Sequence, residues 1–210
     1  PERTQKPRKT GMTMVMDKGI SLRQAEDLME TGADYIDFIK LGFGTSVISK
    51  NVKEKVKLYQ KNNIKVYVGG TLFEAFIIRD KFDDYVKFVN EMGLDSAEVS
   101  DGSITIDHEK KCEYINKLSK NYTVLSEVGS KEEGVIIHPA RWIKMMQNEL
   151  DAGSHKVIAE ARESGTVGIF HKNGSAHTLL INRIVNKIKL ENIIWETPQK
   201  SQQVYFLKLF

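Results

Sequence analysis

The chain has 210 residues, of which 40% are hydrophobic and 28% are charged, a composition typical of a globular protein with a sizeable core. Its formal net charge of +3, from 31 basic and 28 acidic residues, gives little attraction to nucleic acid or to a membrane surface. Cys112 is the one cysteine, so an internal disulfide framework and a cysteine-rich zinc site are excluded. Low cysteine use and the lack of a long apolar run predict a cytoplasmic protein without a membrane span.

Residues 1–12 are predicted to form a basic, flexible arm, and residues 13–210 a single domain. The arm reads PERTQKPRKTG before the first apolar run, and it lacks the apolar core of a signal peptide. A solvated tail is the simpler interpretation, and an arm that contacts an anion is the alternative.

Short apolar segments and helical runs then alternate along the chain. Three stretches resemble one another, and each contains a glycine that is expected to end a helix in the left-handed conformation: Gly32, Gly93 and Gly153. Seven strands are predicted, rich in β-branched residues as in a sheet buried on both faces. They begin near Met14, Tyr35, Lys65, Ser96, Thr123, Lys156 and Asn192.

The segments between the strands carry apolar stripes at helical spacing, such as Val52, Val56 and Tyr59. Pro139 is expected to begin another helix, because the first helical position does not use its N–H. Strict β/α alternation predicts an α/β fold, and the absence of a G-x-G-x-x-G turn after the first strand favours a (β/α)8 TIM barrel over a doubly wound sheet. Such a barrel needs eight strands, so we expect the last strand and its helix to be missing from this chain.

Acidic residues recur at the strand ends where apolar residues are expected, on five of the seven strands: Asp37, Glu98, Glu127, Glu160 and Glu196. A lone buried carboxylate costs several kcal/mol, so each acid needs a partner. One alternative is a layer of salt bridges to the nearby cations Lys18, Lys40, Lys131 and Arg162. The other is a divalent cation, and with neither Cys nor His among these residues the ligands suit Mg²⁺ better than Zn²⁺.

Glycine and hydroxyl residues follow most strands, in the stretches LGFGTS, GGT, DGS, VGS and SGT. Backbone N–H groups in such turns bind anions, and together with the cations they predict a phosphate- or carboxylate-bearing substrate. The residues expected to bind it are Gly70, Thr71, Ser100, Asp101, Arg162, Ser164 and Gly165.

Seven stretches together resemble the phosphosulfolactate synthase family: MDKG, DYIDFIKLGFGTS, GGTLFE, SDGS, LSEVGSK, EARESGTVGIF and ETPQKSQQ. They extend from about Met14 to the end of the chain. The resemblance implies a (β/α)8 barrel and a carbon–sulfur lyase that adds sulfite to phosphoenolpyruvate with Mg²⁺, giving 2-phospho-3-sulfolactate. In methanogens this family serves coenzyme M biosynthesis, and in spore-forming bacteria it serves sulfolactate formation.

The resemblance also implies roles for individual residues. Lys131 matches the family's lysine after the fifth strand and is the candidate acid that protonates the substrate carbon. Lys18 and Lys40 are the other candidate catalytic residues, and with Arg162 they would hold the substrate anions. The expected Mg²⁺ ligands are Glu127, Glu160 and Glu196.

Two other functions fit the same residues. An enolase-like or aldolase-like barrel that acts on another phosphorylated carboxylate would use the same acids and lysines. A non-catalytic barrel that binds anions or nucleic acid would use the basic arm, but the dispersed basic residues argue against it. The expected partners are therefore small-molecule substrates, and pairing of exposed barrel helices predicts a homo-oligomer.

Overall fold

The computed structural model describes residues 3–129 and 137–210, and helices follow strands throughout them. The strands of the described residues are β1 (Met14–Asp17), β2 (Phe38–Leu41), β3 (Lys65–Val68), β4 (Ser96–Val99), β5 (Thr123–Val128), β6 (Lys156–Ala159) and β7 (Ile193–Trp195). Their α-helices are α1 (Leu22–Gly32), α2 (Thr45–Ile48), α3 (Val52–Lys61), α4 (Gly70–Ile77), α5 (Phe82–Glu91), α6 (His108–Ser119), α7 (Pro139–Asp151), α8 (Thr178–Val185) and α9 (Lys200–Leu209).

The predicted strand positions are confirmed, because β1, β3, β4, β5 and β6 begin at the expected residues. Strand β7 begins at Ile193, the residue after the expected start. Strand β2 begins at Phe38 rather than near Tyr35, because Ala33–Tyr35 form a turn of 3-10 helix after α1. The apolar pattern of the sequence locates strands well but does not separate a strand from a preceding tight turn.

Two of the three predicted helix-ending glycines have the expected backbone. Gly93 and Gly153 have φ values of 70° and 112°, which residues with a side chain rarely adopt. Gly32 differs, since its φ is −133° and the chain continues directly into the 3-10 turn. The prediction of a left-handed stop at Gly32 is therefore wrong.

The chain divides into two compact units, and the boundary falls within β4, after Glu98. The first unit contains residues up to Glu98 and residues 121–123. In it β1, β2 and β3 pair in parallel, with Val15 opposite Ile39 and Ile39 opposite Val66. All four residues of β2 are buried, as expected for a strand covered on both faces.

The second unit contains Val99–Lys120 and Val124–Phe210, and in it β5, β6 and β7 pair in parallel. Its core is built on Trp142 and Met146 from α7, Ile181 and Ile184 from α8, and the inner residues of β6. Because the paired strands are parallel, their carboxyl ends lie at one edge of the sheet, where active sites form in β/α folds. No helix in either described range, 3–129 or 137–210, is long and apolar enough to cross a membrane.

The basic segment before β1 makes specific contacts with the first unit. Arg8 is 7% exposed, and its guanidinium donates hydrogen bonds to Asp37 Oδ1 at 2.9 Å and to the Asp34 carbonyl. Arg3 donates to the hydroxyl of Thr13 and to the Tyr35 carbonyl. These contacts differ from those of a solvated tail, while the division into residues 1–12 and 13–210 stays a prediction.

Candidate active site

Three buried glutamates converge at the carboxyl ends of β5, β6 and β7. Glu127, Glu160 and Glu196 each place a carboxylate oxygen within 4.8 Å of the other two, and none is more than 7% exposed. Three carboxylates this close would repel one another when ionised, and a bound cation would relieve that repulsion. These are the three acids that the sequence singled out as Mg²⁺ ligands, and the fold brings them together.

Two consecutive backbone amides after β6 fix the glutamate carboxylates. The Ala161 N–H donates to Glu196 Oε2 at 3.1 Å, and the Arg162 N–H donates to Glu160 Oε1 at 2.6 Å. Arg162 has a φ of 55°, so the chain turns in a left-handed conformation directly after this hydrogen bond. The chain therefore turns at the end of β6 in the way that holds both acids in place.

Two glycines allow the backbone to approach Glu160 closely. A Cβ on Gly129, whose φ is 141°, would lie 2.5 Å from the Cβ of Glu160 and 2.9 Å from the ring of Trp142. A Cβ on Gly168 would lie 1.9 Å from the Glu160 carbonyl oxygen. Side chains at these two positions would displace Glu160, so glycine is a steric requirement of the cluster.

The donor set of the glutamate cluster fits Mg²⁺. It offers carboxylate oxygens, which are the ligands that hard divalent cations prefer, and it lacks the nitrogen and sulfur ligands of structural zinc sites. Backbone hydrogen bonds to Glu160 and Glu196 orient their carboxylates, as supporting contacts commonly do around metal ligands. The chemistry of these residues therefore fits a hard divalent cation such as Mg²⁺.

The predicted substrate-binding residues Arg162, Ser164 and Gly165 lie on the turn that directly follows Glu160. Gln199 donates to the Ser164 carbonyl at 2.7 Å, and Gln202 donates to the Gly165 carbonyl at 2.8 Å. Arg162 and Ser164 are exposed, whereas Gly165 is buried against Gln202. The two glutamines hold this turn from the start of α9, a role that the sequence did not reveal although both belong to the stretch ETPQKSQQ.

Lys40 and Gly70 meet at the carboxylate of Glu98 in the first unit. The Lys40 ammonium lies 3.0 Å from Glu98 Oε1, and the Gly70 N–H donates to the same oxygen at 2.5 Å. A carboxylate at the amino end of α4 is also favoured by the helix dipole. The sequence left open whether each acid pairs with a cationic side chain or with a divalent cation, and Glu98 pairs with Lys40. The Gly70 N–H donates to a protein carboxylate, and the assignment of Gly70 to substrate binding stays a prediction.

Asp37 does not belong to the acids at the carboxyl ends of the strands, and this prediction is wrong. It precedes β2, at the amino end of that strand. Its carboxylate pairs with Arg8 at 2.9 Å and accepts a hydrogen bond from the Thr13 N–H at 2.8 Å. The error arises because β2 was expected to begin near Tyr35, which would include Asp37 in the strand, whereas it begins at Phe38.

Asp17, at the end of β1, is paired with a buried lysine from α3. Lys55 Nζ lies 2.7 Å from Asp17 Oδ2, and the hydroxyl of Tyr59 donates to the same oxygen at 2.9 Å. Burial alone would raise the pKa of Asp17, but the hydrogen bonds from Lys55, Gly19 and Tyr59 lower it below its usual value. Asp17 is therefore an ionised group whose charge is neutralised by Lys55.

A second buried lysine, Lys111 of α6, joins three parts of the second unit. Its ammonium lies 2.8 Å from Asp101 Oδ1 and 2.8 Å from Glu149 Oε1, and it donates to the Glu127 carbonyl at 2.6 Å. Burial raises the pKa of Glu149 to about 6, although Lys111 acts in the opposite direction. Asp101, which the sequence assigned to the substrate, is thus bound to a protein cation through one of its oxygens.

The sequence contains a signal that could have identified three buried charged residues of the helices, Lys55, Lys111 and Glu149. Each one completes an apolar stripe at positions i, i+3, i+4 and i+7, where an apolar residue is expected. The three stripes are Val52, Lys55, Val56 and Tyr59; Lys111, Tyr114, Ile115 and Leu118; and Trp142, Met145, Met146 and Glu149.

The remaining predicted site residues lie after β1, β3, β4 and β5. Lys18 is exposed directly after β1, Thr71 is half-buried in the first turn of α4, and Ser100 is buried directly after β4. Lys131, the candidate acid, lies outside the described residues. The assignment of catalytic and substrate-binding roles to these residues stays a prediction.

A protein-family model described as "ComA: (2R)-phospho-3-sulfolactate synthase" matches residues 1–210 of the chain. The chain belongs to the phosphosulfolactate synthase family. The resemblance inferred from the seven sequence stretches is thereby confirmed.

Members of the phosphosulfolactate synthase family with curated names align over almost the whole chain. The phosphosulfolactate synthase of Methanothermobacter thermautotrophicus is 41% identical over 99% of this chain and 83% of its own length. That of Methanocaldococcus jannaschii is 40% identical over 95% of this chain and 82% of its own. That of Bacillus subtilis is 35% identical over 99% of this chain and 84% of its own.

Solved structures with a similar fold are TIM-barrel enzymes. The 3-hexulose-6-phosphate synthase of Salmonella typhimurium has a TM-score of 0.55 at 16% identity, covering 93% of this chain and 83% of its own. The orotidine 5'-monophosphate decarboxylase of Methanocaldococcus jannaschii has a TM-score of 0.51 at 13% identity, covering 93% and 97%. At these identities the likeness shows the fold alone, and it confirms the predicted α/β class with parallel strands.

Proposed function

We propose that this member of the phosphosulfolactate synthase family adds sulfite to phosphoenolpyruvate in a Mg²⁺-dependent reaction that yields 2-phospho-3-sulfolactate. The family match supports the product, and the convergence of Glu127, Glu160 and Glu196 supports the metal dependence. The glutamate cluster is the observation that carries the proposal, because sulfite addition to a carboxylate-conjugated alkene needs an electrophilic centre beside the carboxylate.

The bond changes in this reaction set the requirements for the site. The sulfur lone pair of sulfite forms a bond to C3 of phosphoenolpyruvate, and the π electrons move toward C2 and the carboxylate. A proton then adds to C2, while the phosphate stays attached to C2. No oxidant, reductant or leaving group is needed, so the protein has to stabilise negative charge and deliver one proton.

Glu127, Glu160 and Glu196 would hold the Mg²⁺, and the backbone amides of Ala161 and Arg162 keep two of these carboxylates in position. The bound ion would supply a Lewis acid for the charge that collects on the substrate carboxylate. Because the three acids are buried, water competes weakly with these interactions.

Cationic side chains would bind the substrate anions. The exposed guanidinium of Arg162 suits a bidentate contact with a phosphate or carboxylate. Lys18 and Lys40 are the other candidates, and Lys40 is held in place by its ion pair with Glu98. The turn of Ser164 and Gly165 would add hydrogen bonds, since Gln199 and Gln202 fix its conformation.

Lys131 is the proposed acid that protonates C2. A lysine among other cations can have a lowered pKa and exchange protons near neutral pH. We expect Lys131→Ala to reduce turnover by about 100-fold or more while phosphoenolpyruvate binding is largely kept. Steady-state kinetics with calorimetric substrate binding would measure both quantities, and an alanine variant with full turnover would remove Lys131 as the acid.

The reaction itself is tested by following phosphoenolpyruvate with purified protein, with and without sulfite and Mg²⁺. The proposal expects consumption that requires both, with formation of a carbon–sulfur bond visible by NMR of the product. Consumption without sulfite would instead favour another enolate-type barrel enzyme. Full activity in the presence of a chelator would contradict the metal dependence.

A further inference from the structure

Lys111 is a lysine whose side chain has no solvent exposure, and its ammonium has three acceptors. These are Asp101 Oδ1, Glu149 Oε1 and the Glu127 carbonyl oxygen, at 2.8, 2.8 and 2.6 Å. The Asp101 and Glu127 oxygens accept hydrogen bonds from the ammonium, and Glu149 Oε1 is its second ion-pair partner. A buried charge satisfied in this way is held in one position by its surroundings.

The three acceptors belong to different elements around the glutamate cluster. Asp101 is in the loop after β4, Glu149 is on the inner face of α7, and the Glu127 carbonyl is near the carboxyl end of β5. Glu127 is the only one of the three whose side chain is a proposed Mg²⁺ ligand. Lys111 therefore ties the backbone of one proposed ligand to two side chains that carry negative charge.

The Lys111 ammonium contacts the Glu127 carbonyl close to the carboxyl end of β5. Strand β5 ends at Val128, one residue after Glu127, and Gly129 then adopts a φ of 141°. Pairing with β6 continues through Val128, whose carbonyl accepts a hydrogen bond from the Glu160 N–H at 3.0 Å, and the Lys111 ammonium adds a further contact at the Glu127 carbonyl. Small displacements of a ligand backbone move the carboxylate relative to Glu160 and Glu196.

Charge on Lys111 is maintained despite its burial. Burial alone would lower the pKa of this lysine, but Glu149 and Asp101 raise it above the usual value. The hydrogen bond to the Glu127 carbonyl is accordingly donated by a cation, which makes it shorter and stronger than a bond between neutral groups.

We propose that Lys111 is a positioning residue for the Mg²⁺ site: its ammonium fixes the Glu127 main chain so that the three glutamate carboxylates meet. This inference rests on the proposed function, because it assumes that the glutamate cluster holds the ion. Lys111 acts through Glu127 and has no contact with substrate in this role.

Lys55 of α3 provides a matched control. It is also a buried helical lysine, with 1% side-chain exposure, and its ammonium contacts Asp17 Oδ2 at 2.7 Å and the Ile20 carbonyl at 2.8 Å. Both lysines occupy a position in an apolar stripe, and both neutralise an aspartate near a strand end. The contact to a proposed ligand residue distinguishes Lys111 from Lys55.

The test compares wild type, Lys111→Met and Lys55→Met, which replace an ammonium by an apolar group of similar length. Thermal unfolding reports the stability of each variant, and isothermal titration with Mg²⁺ alone reports its affinity. We expect both variants to lose stability, and Lys111→Met alone to bind Mg²⁺ about 10- to 100-fold more weakly, as for other residues that orient metal ligands. At saturating Mg²⁺ the turnover of Lys111→Met should recover much of its loss.

The outcomes separate this inference from the proposed function. If wild-type protein does not bind Mg²⁺, the proposed metal site fails and the role of Lys111 fails with it. If wild type binds Mg²⁺ and Lys111→Met binds it equally well, the role of Lys111 is overturned and the metal site stands. Equally weakened Mg²⁺ affinity in Lys111→Met and Lys55→Met would also overturn it, because loss of any buried lysine would then have the same effect.

A second variant keeps the test decisive if Lys111→Met does not fold. The double variant Lys111→Met with Glu149→Met removes both charges of the buried pair, and apolar replacement of a whole buried pair is often tolerated. It also removes the hydrogen bond to the Glu127 carbonyl. Weaker Mg²⁺ binding by the folded double variant supports the inference, and wild-type affinity overturns it.

Discussion

Strand-end acids have different partners in the two compact units. In the first unit each acid is matched with a lysine: Asp17 with Lys55 at 2.7 Å, and Glu98 with Lys40 at 3.0 Å. In the second unit three acids from neighbouring strands are directed at one another, with oxygens within 4.8 Å. A carboxylate at a strand end therefore does not by itself indicate a metal site, and the proposal of one rests on the convergence of the three glutamates.

The largest expected effect comes from Glu160→Gln, which keeps the shape of the side chain but removes a charge from the glutamate cluster. We expect turnover to fall by about 1000-fold, since loss of Lewis-acid stabilisation costs several kcal/mol. Titration with Mg²⁺ should show affinity reduced by at least about 100-fold. Wild-type affinity in this variant would exclude Glu160 as a ligand.

The control for Glu160→Gln is Asp37→Asn, which changes an acid that the sequence placed in the same group and the structure pairs with Arg8. It should lower the free energy of unfolding by about 3 kcal/mol, because it leaves a buried arginine without its ion pair. Its Mg²⁺ affinity and turnover should match those of wild type. Equal losses of activity in both variants would remove the distinction between Asp37 and the acids of the glutamate cluster.

A smaller effect is expected from changing the space around Glu160. Gly129→Ala would place a Cβ 2.5 Å from the Cβ of Glu160, in a backbone conformation that alanine rarely adopts. We expect a loss of about 3 kcal/mol in unfolding free energy and a roughly tenfold weaker Mg²⁺ affinity. Denaturant unfolding and metal titration measure the two effects.

Gly93→Ala in the first unit is the matched control for Gly129→Ala. Gly93 also has a positive φ, of 70°, but its Cβ would have no neighbour within 4 Å. It should lose about 1 kcal/mol from backbone strain and retain Mg²⁺ affinity. A larger loss at Gly93 than at Gly129 would contradict the view that close approach to Glu160 is what requires glycine.

The smallest effect is a difference in how two buried acids respond to pH. The folded-state pKa of Asp17 lies below its usual value of 3.8, so its contribution to stability is present above about pH 4 and is lost as the pH falls through the folded pKa. The folded-state pKa of Glu149 is raised from 4.5 to about 6. Its contribution is therefore present below pH 4.5 and falls by about 2 kcal/mol as the pH rises past 6.

Unfolding free energies of wild type, Asp17→Asn and Glu149→Gln between pH 3 and 8 test this contrast. The difference between wild type and Asp17→Asn should shrink on acidification. As the pH rises from about 4.5 to 6, the unfolding free energy of wild type should instead fall relative to that of Glu149→Gln. Differences that change in the same direction would show that burial does not dominate the environment of Glu149.

Sequence patterns located the strands and the glutamate cluster because both depend on local features. An apolar run bounded by glycine marks a strand, and an acid at its end is conspicuous. Glu127, Glu160 and Glu196 were among five such acids, and the family resemblance selected these three as expected ligands. Parallel pairing then brings the carboxyl ends of β5, β6 and β7 to one edge. The start of β2 was misplaced because a 3-10 turn has no distinctive apolar pattern.

The partners of the acids were predicted less well, because they come from distant parts of the chain. Lys40 was recognised since it lies on a strand, but Lys55 and Lys111 lie on helices, where a lysine is normally solvated. Their burial follows from tertiary packing of an apolar stripe against the sheet. Arg8 was missed for a similar reason, because a basic terminal segment gives no local indication that it folds onto Asp37.

Arg162 takes part in the site through two separate chemical groups. Its main-chain N–H holds Glu160, and its φ of 55° is a conformation that glycine adopts readily. Its side chain is exposed and plays no part in that hydrogen bond. The anchoring of the acid thus depends on the path of the backbone, while the proposed recognition of the substrate would depend on the side chain. A substitution that keeps the backbone conformation of Arg162 is therefore expected to leave the Glu160 carboxylate in place.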